Sequence, residues 1–129
     1  MSQIASKPHR EFFALGLHDA ATRWQPVACS AGTIEEIILS DNLDPVTGTG
    51  SRTRVARWSP GALIDRPVVH DFHEEVFLFE GDLVVGCDAA GEGGERFVAH
   101  TFACRPPGAL HGPFVSPGGC LMFEIQYYA

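Results

Sequence analysis

The chain has 129 residues, enough for one domain with a core of its own. Its formal charge of −7 at pH 7, from 9 Lys+Arg against 16 Asp+Glu, speaks against nucleic acid or an anionic membrane as a partner, and no apolar run reaches the length of a bilayer span. Gly 14 and Pro 9 predict many turns, and therefore many short strands rather than long helices.

In chain order, residues 1–32 read as an N-terminal arm. Within it, Glu11 to Leu17 is apolar enough to pack, as an edge strand or a short helical turn. Trp24 to Ala28 is expected to be extended, with Pro26 favouring a sheet edge. Thr33–Ser40 and Arg52–Trp58 read as strands around an Asp, Asn, Pro and Gly-rich turn from Asp41 to Gly50. Further strands are expected near 64–70, 74–80 and 82–87, then from Arg96 to Cys104 and from Cys120 to Tyr128. Gly and Pro clusters separate them, among them the hairpin loop Ala89–Gly94 and the turn Pro106-Pro107-Gly108. This pattern predicts an all-β sandwich or barrel. The cysteines Cys29, Cys87, Cys104 and Cys120 form no C-x-x-C pair and are expected to be reduced, buried thiols. The polar N-terminus carries no signal-peptide pattern, so a cytoplasmic location is expected.

Two stretches carry chemistry. Val68-Val69-His70-Asp71-Phe72-His73-Glu74-Glu75 leads into the apolar run Val76 to Phe79 and ends at Gly81. Pro106-Pro107-Gly108-Ala109-Leu110-His111 presents a histidine after a tight turn. Two imidazoles and a carboxylate are the usual donors of a catalytic divalent metal. Side chains alternate along a strand, which groups Val68 with His70 and sets Glu74, Val76 and Leu78 opposite Glu75, Phe77 and Phe79. A carboxylate heading an inward apolar face is costly to bury unless it is paired or metal-bound, which singles out Glu74. Glu124, Gln126 and Tyr128 share a face of the last strand and are candidates to line a cavity. Glu74, Glu124 and Tyr128 are thus the candidate catalytic residues. Arg105 is a candidate for a structural ion pair or for an anionic substrate at the mouth. His9, His18 and His100 read as surface or hydrogen-bonded residues.

The first stretch resembles the first motif of the cupin superfamily, G-x5-H-x-H-x3-4-E-x6-G, with His70, Glu74 and Gly81 in register. Pro106, Gly108 and His111 match the second, G-x5-P-x-G-x2-H-x3-N. Arg105 to His111, followed by Ser116 to Leu121, is similar to the cupin domain of zinc-dependent anti-sigma factors. The resemblance covers residues 53–127 and implies a single cupin domain over 1–129, a double-stranded β-helix or jelly-roll barrel. It departs from the motifs at Val68, which stands where the first histidine belongs, and at His100 and Val115, which replace a glycine and an asparagine. Cupins often bind a metal through three histidines and a glutamate. Here the resemblance implies His70, Glu74 and His111 as ligands, with His73 available to fill the gap.

The expected function is that of a metal-dependent enzyme acting on a small organic molecule, foremost a non-haem-metal dioxygenase using Fe2+, with Zn2+, Mn2+ or Ni2+ as alternatives. A Lewis-acid isomerase, lyase or cyclase is the second expectation. A non-enzymatic small-molecule or metal sensor is the third, suggested by the anti-sigma resemblance. The apolar outer faces of the strands carrying Phe77 and Phe79 point to a homodimer.

Overall fold

The computed structural model describes residues 5–19 and 22–129. Among them there is no helix. The strands are β1 (Gln25–Val27), β2 (Ile34–Asp41), β3 (Ser51–Trp58), β4 (Ala62–Ile64), β5 (His73–Val85), β6 (Glu95–Val98), β7 (Phe102–Arg105), β8 (Phe114–Ser116) and β9 (Cys120–Tyr127). Their neighbours run β1-β2-β3-β9-β5-β8-β4, with β6 and β7 also pairing with β5. All pairings are antiparallel, and the sheet curls into a jelly-roll barrel.

β5 is the strand on which this closure depends. Its first half lies between β9 and β7, and its second half between β8 and β6. The change of partners falls at Gly81, just beyond the slip in register with β9 between Leu78 and Glu80. Gly81 has φ 81°, and a Cβ there would meet the Gly119 carbonyl oxygen at 1.9 Å, so only glycine fits the bend. The two strands expected at 74–80 and 82–87 are therefore one strand, bent rather than broken.

Two other expectations are corrected. Residues 64–70 are not a continuous strand: β4 ends at Ile64, and among the described residues the chain from there to Val69 has one isolated bridge, between Val68 and His111. The strand expected from Arg96 to Cys104 is two, β6 and β7, because His100 adopts φ 72° and reverses the chain between them. His100 stands where the cupin motif has a glycine, and it takes the left-handed backbone that a glycine adopts freely. Glu11–Leu17 joins no strand; bends and turns carry it, and the arm is tied to the body by Lys7 Nζ on Ser40 Oγ at 3.2 Å and Asn42 Nδ2 on the Ala5 carbonyl at 2.6 Å.

The core is a cluster of Ala56, Val76, Leu78, Leu83, Phe114, Cys120 and Met122. Burying each of Leu78, Leu83 and Met122 is worth roughly 1.5–3 kcal/mol. All four cysteines are free. Cys87 and Cys120 are buried as expected, and burial pushes the Cys120 thiol up to about 11. Cys104 is exposed and Cys29 half-buried, because each lies on a short strand edge or loop that the core does not cover.

Candidate metal centre

Along β5 the alternation puts Glu74, Val76 and Leu78 inside the barrel, all buried. His70 precedes the strand and His111 precedes β8. A backbone clasp brings the two together: Val68 N–H donates to the His111 carbonyl at 2.6 Å, His111 N–H returns to Val68 at 2.9 Å, and Gly108 N–H donates to the His70 carbonyl at 2.9 Å. The Pro-Pro-Gly turn thus lays His111 beside the strip that carries His70.

The result is a cluster of His70, Glu74 and His111, whose donor atoms all lie within 4.8 Å of one another. His70 Nε2 is 3.7 Å from Glu74 Oε2, and His111 Nε2 is 3.6 Å from Glu74 Oε1. His111 Nδ1 lies 3.0 Å from the Ala109 carbonyl, an acceptor, so this nitrogen carries the proton. In the neutral ring Nε2 then offers a lone pair toward a carboxylate oxygen. Two acceptors facing each other call for a cation between them. The His70 value is lowered, chiefly by burial, which keeps that imidazole available as a neutral donor. Burial alone would raise the Glu74 value, but the hydrogen bond from Gln126 and the nearness of His111, His70 and Arg54 hold it at about 2. A buried, ionised carboxylate with two imidazoles is the donor set of a hard or borderline divalent ion, and these residues fit one.

Around the cluster, register partners form rows across the sheet. Arg52 pairs with Gln126, Gln126 with Glu74, and Glu74 with Arg105. Gln126 Nε2 donates to Glu74 at 2.9 Å and its Oε1 accepts from Arg52 Nε at 2.8 Å. One row deeper, Arg54 pairs with Glu124 and Glu124 with Val76. Arg54 donates to Glu124 at 2.6 Å and also binds Glu36. Burial raises the Glu124 value, against the opposing charge of Arg54. Deeper still lie Ala56, Met122 and Leu78. The cavity these rows enclose measures about 260 Å³, and Val68, Phe72, Leu83 and Phe114 complete its apolar wall.

Two candidates are placed elsewhere. His73 is next to Glu74 on β5, so its ring turns to the opposite face and stacks on Tyr127 at 4.9 Å; it does not join the cluster. Tyr128 lies past the end of β9, and its hydroxyl donates to Asp71 at 2.8 Å, outside the cavity lining. Glu124 and Gln126 do line the cavity. Val68 lines it too, and as the bridge partner of His111 it points to the same side. Arg52 and Arg54 were not singled out by sequence. Their alternation on β3 reads as a solvated face, whereas that face is turned into the barrel.

No protein-family model and no curated protein matches the chain. Solved structures do. An RmlC-like cupin from Shewanella frigidimarina is 20% identical, with 93% of each chain covered and a TM-score of 0.65. An acetylacetone dioxygenase from Acinetobacter johnsonii is 21% identical over 98% of this chain and 80% of that one, at a TM-score of 0.63. The complex of Rhodobacter sphaeroides SigE with the anti-sigma ChrR is matched at 15% identity over 85% of this chain and 50% of that one, at a TM-score of 0.58. These likenesses show that the chain has the cupin fold.

Proposed function

We propose that this cupin-fold protein is a metal-dependent enzyme for a small organic molecule, with His70, Glu74 and His111 as the metal ligands, and that it is an oxygenase using Fe2+. The observation that carries the reading is the convergence of two imidazoles and one ionised carboxylate at one side of a cavity whose other walls include Val68, Phe72, Leu83, Phe114 and Met122. Three protein donors leave coordination positions for other ligands, as in non-haem iron oxygenases. Bound iron would supply redox chemistry toward oxygen, whereas zinc, manganese or nickel would supply Lewis-acid polarisation. The chain's own residues do the rest. Gln126 orients the Glu74 carboxylate through its 2.9 Å hydrogen bond. Phe72, Phe114 and Met122 keep water from the reacting atoms. The likeness to an acetylacetone dioxygenase supports the oxygenase reading.

A Lewis-acid isomerase, lyase or cyclase is the second reading, and Glu124 favours it. This carboxylate lines the cavity floor, and its raised value suits it to hold and return a proton. Metal analysis of protein purified without chelator or His-tag, followed by an oxygen electrode with diketones and electron-rich aromatics on iron- and zinc-loaded protein, separates the two. Oxygen uptake with iron alone is expected. Equal anaerobic turnover with zinc overturns the oxygenase reading and leaves the second. For assembly we propose a homodimer through the outer face, where Phe79 is 42% and Phe102 56% exposed; a monomer mass by sedimentation overturns it.

A further inference from the structure

We propose that the molecule taken by this site is a small organic acid and that Arg105 binds its carboxylate. The proposal rests on the cavity being the substrate site, as in the reading above, and not on the identity of the metal.

The three arginines of the cavity are in different states. Arg54 is saturated, held between Glu36 and Glu124. Arg52 turns Nε and Nη2 to the neutral Oε1 of Gln126 and has no carboxylate partner among the described residues. Arg105 is the least used. Its side chain is only 13% exposed, yet it makes no hydrogen bond among the described residues. Its nearest charge, Glu74 Oε1, is 3.7 Å away, beyond hydrogen-bond reach. Its guanidinium lies 5.8 Å from the centroid of the Phe114 ring, which gives the group a wall to rest on.

A guanidinium carries five N–H donors in a fixed plane, and withdrawing it from bulk water without partners is unfavourable. Glu74 is not a sufficient partner, because its oxygens already face His70, His111 and Gln126. Within the row Arg52–Gln126–Glu74–Arg105 two cations stand against one anion, and the carboxylates of Glu124 and Glu36 are bound by Arg54. A cation on Glu74 would deepen that positive excess. A carboxylate presents two coplanar oxygens and matches the fork of Arg105. The remaining walls, Val68, Leu83, Phe114 and Met122, suit an apolar body. A cavity of about 260 Å³ suits a compact acid.

Isothermal titration calorimetry with benzoate and its uncharged isostere benzamide tests this. Wild type, Arg105→Gln and Arg105→Lys are compared, each stripped by chelator and each reloaded with zinc, which is redox-inert. Wild type is expected to prefer benzoate by at least about tenfold in both states. Arg105→Gln is expected to bring the two ligands within about twofold, and Arg105→Lys, with charge but no fork, to fall between. Equal affinity of wild type for acid and amide overturns the proposal, as does absence of benzoate binding. So does a preference that appears only with zinc and survives Arg105→Gln, since the metal would then hold the acid. If the protein takes up no zinc, the metal reading fails while the stripped-protein comparison still decides the role of Arg105. Circular dichroism of both variants, and the wild-type comparison itself, keep the test independent of any loss of folding.

Discussion

Glu74 and Glu124 sit one row apart on the inner face of the same barrel, yet their surroundings drive them in opposite directions. Glu74 accepts from Gln126 and lies beside His111, His70 and Arg54, and its value falls to about 2. Glu124 is buried one row deeper, and its value rises although Arg54 is bonded to it. The difference lies in what each partner is left to do. Arg54 is shared with Glu36 and closes a network that needs nothing further. Glu74 faces two imidazole nitrogens across gaps of 3.6 and 3.7 Å, too long for hydrogen bonds and short enough for a shared ion. The lower row holds the barrel together, and the upper row is arranged for a ligand.

Substitutions that separate the two rows sharpen or break this contrast. The largest effect is expected from Arg54→Met, which strands the buried Glu124 and the half-buried Glu36 and should cost on the order of 3–5 kcal/mol in urea unfolding. Metal affinity should change far less; a variant that lost its metal but not its stability would break the contrast. His111→Ala is expected to do the reverse, lowering metal affinity by more than about a hundredfold in chelator competition with the fold intact. Unchanged metal occupancy would remove His111 from the ligand set. Val68→His places a third imidazole on the side occupied by His111 and should tighten metal binding by about tenfold. An unaltered affinity would mean that position 68 does not face the ion.

The smallest effect is in the pH dependence of the metal-free protein. Glu74, at about 2 against an ordinary 4.5, contributes stability that is complete above pH 4.5 and lost as pH falls toward 2. Glu124, raised from 4.5, runs the other way: its contribution is present below pH 4.5 and lost as pH rises through the folded value. Urea titrations should therefore show a shallower acid-side fall for Glu74→Gln and the removal of a neutral-side decline for Glu124→Gln. Slopes of the same sign would show that the two carboxylates are not differently placed.

Much of the fold was legible because period-two patterning is local. β2, β3 and β9 lie close to where Thr33–Ser40, Arg52–Trp58 and Cys120–Tyr128 put them, and the inward set Glu74, Val76, Leu78 follows from alternation alone. His70, Glu74 and His111 were legible through motif spacing. What escaped depends on backbone angles or on distant pairing. The left-handed turn at His100 splits a strand that its side chains do not mark. β8 is three residues between Pro113 and Pro117, too short for a pattern. The inward aim of Arg52 and Arg54 follows from pairing with Gln126 and Glu124, which lie 74 and 70 residues along the chain. Read alone, the same alternation looks like a face turned to water.

The clasp between Val68, His70, Gly108 and His111 gives the candidate centre a reporter made of backbone. Opening those three hydrogen bonds draws His70 and His111 apart, so a cation held by both favours the closed form by linkage. Hydrogen exchange at the Val68, Gly108 and His111 amides should slow when zinc is added to stripped protein, while the β2–β3 ladder keeps its rates. Occupancy of the centre would then be recorded by amide protons that are not themselves ligands, with no need to know the substrate.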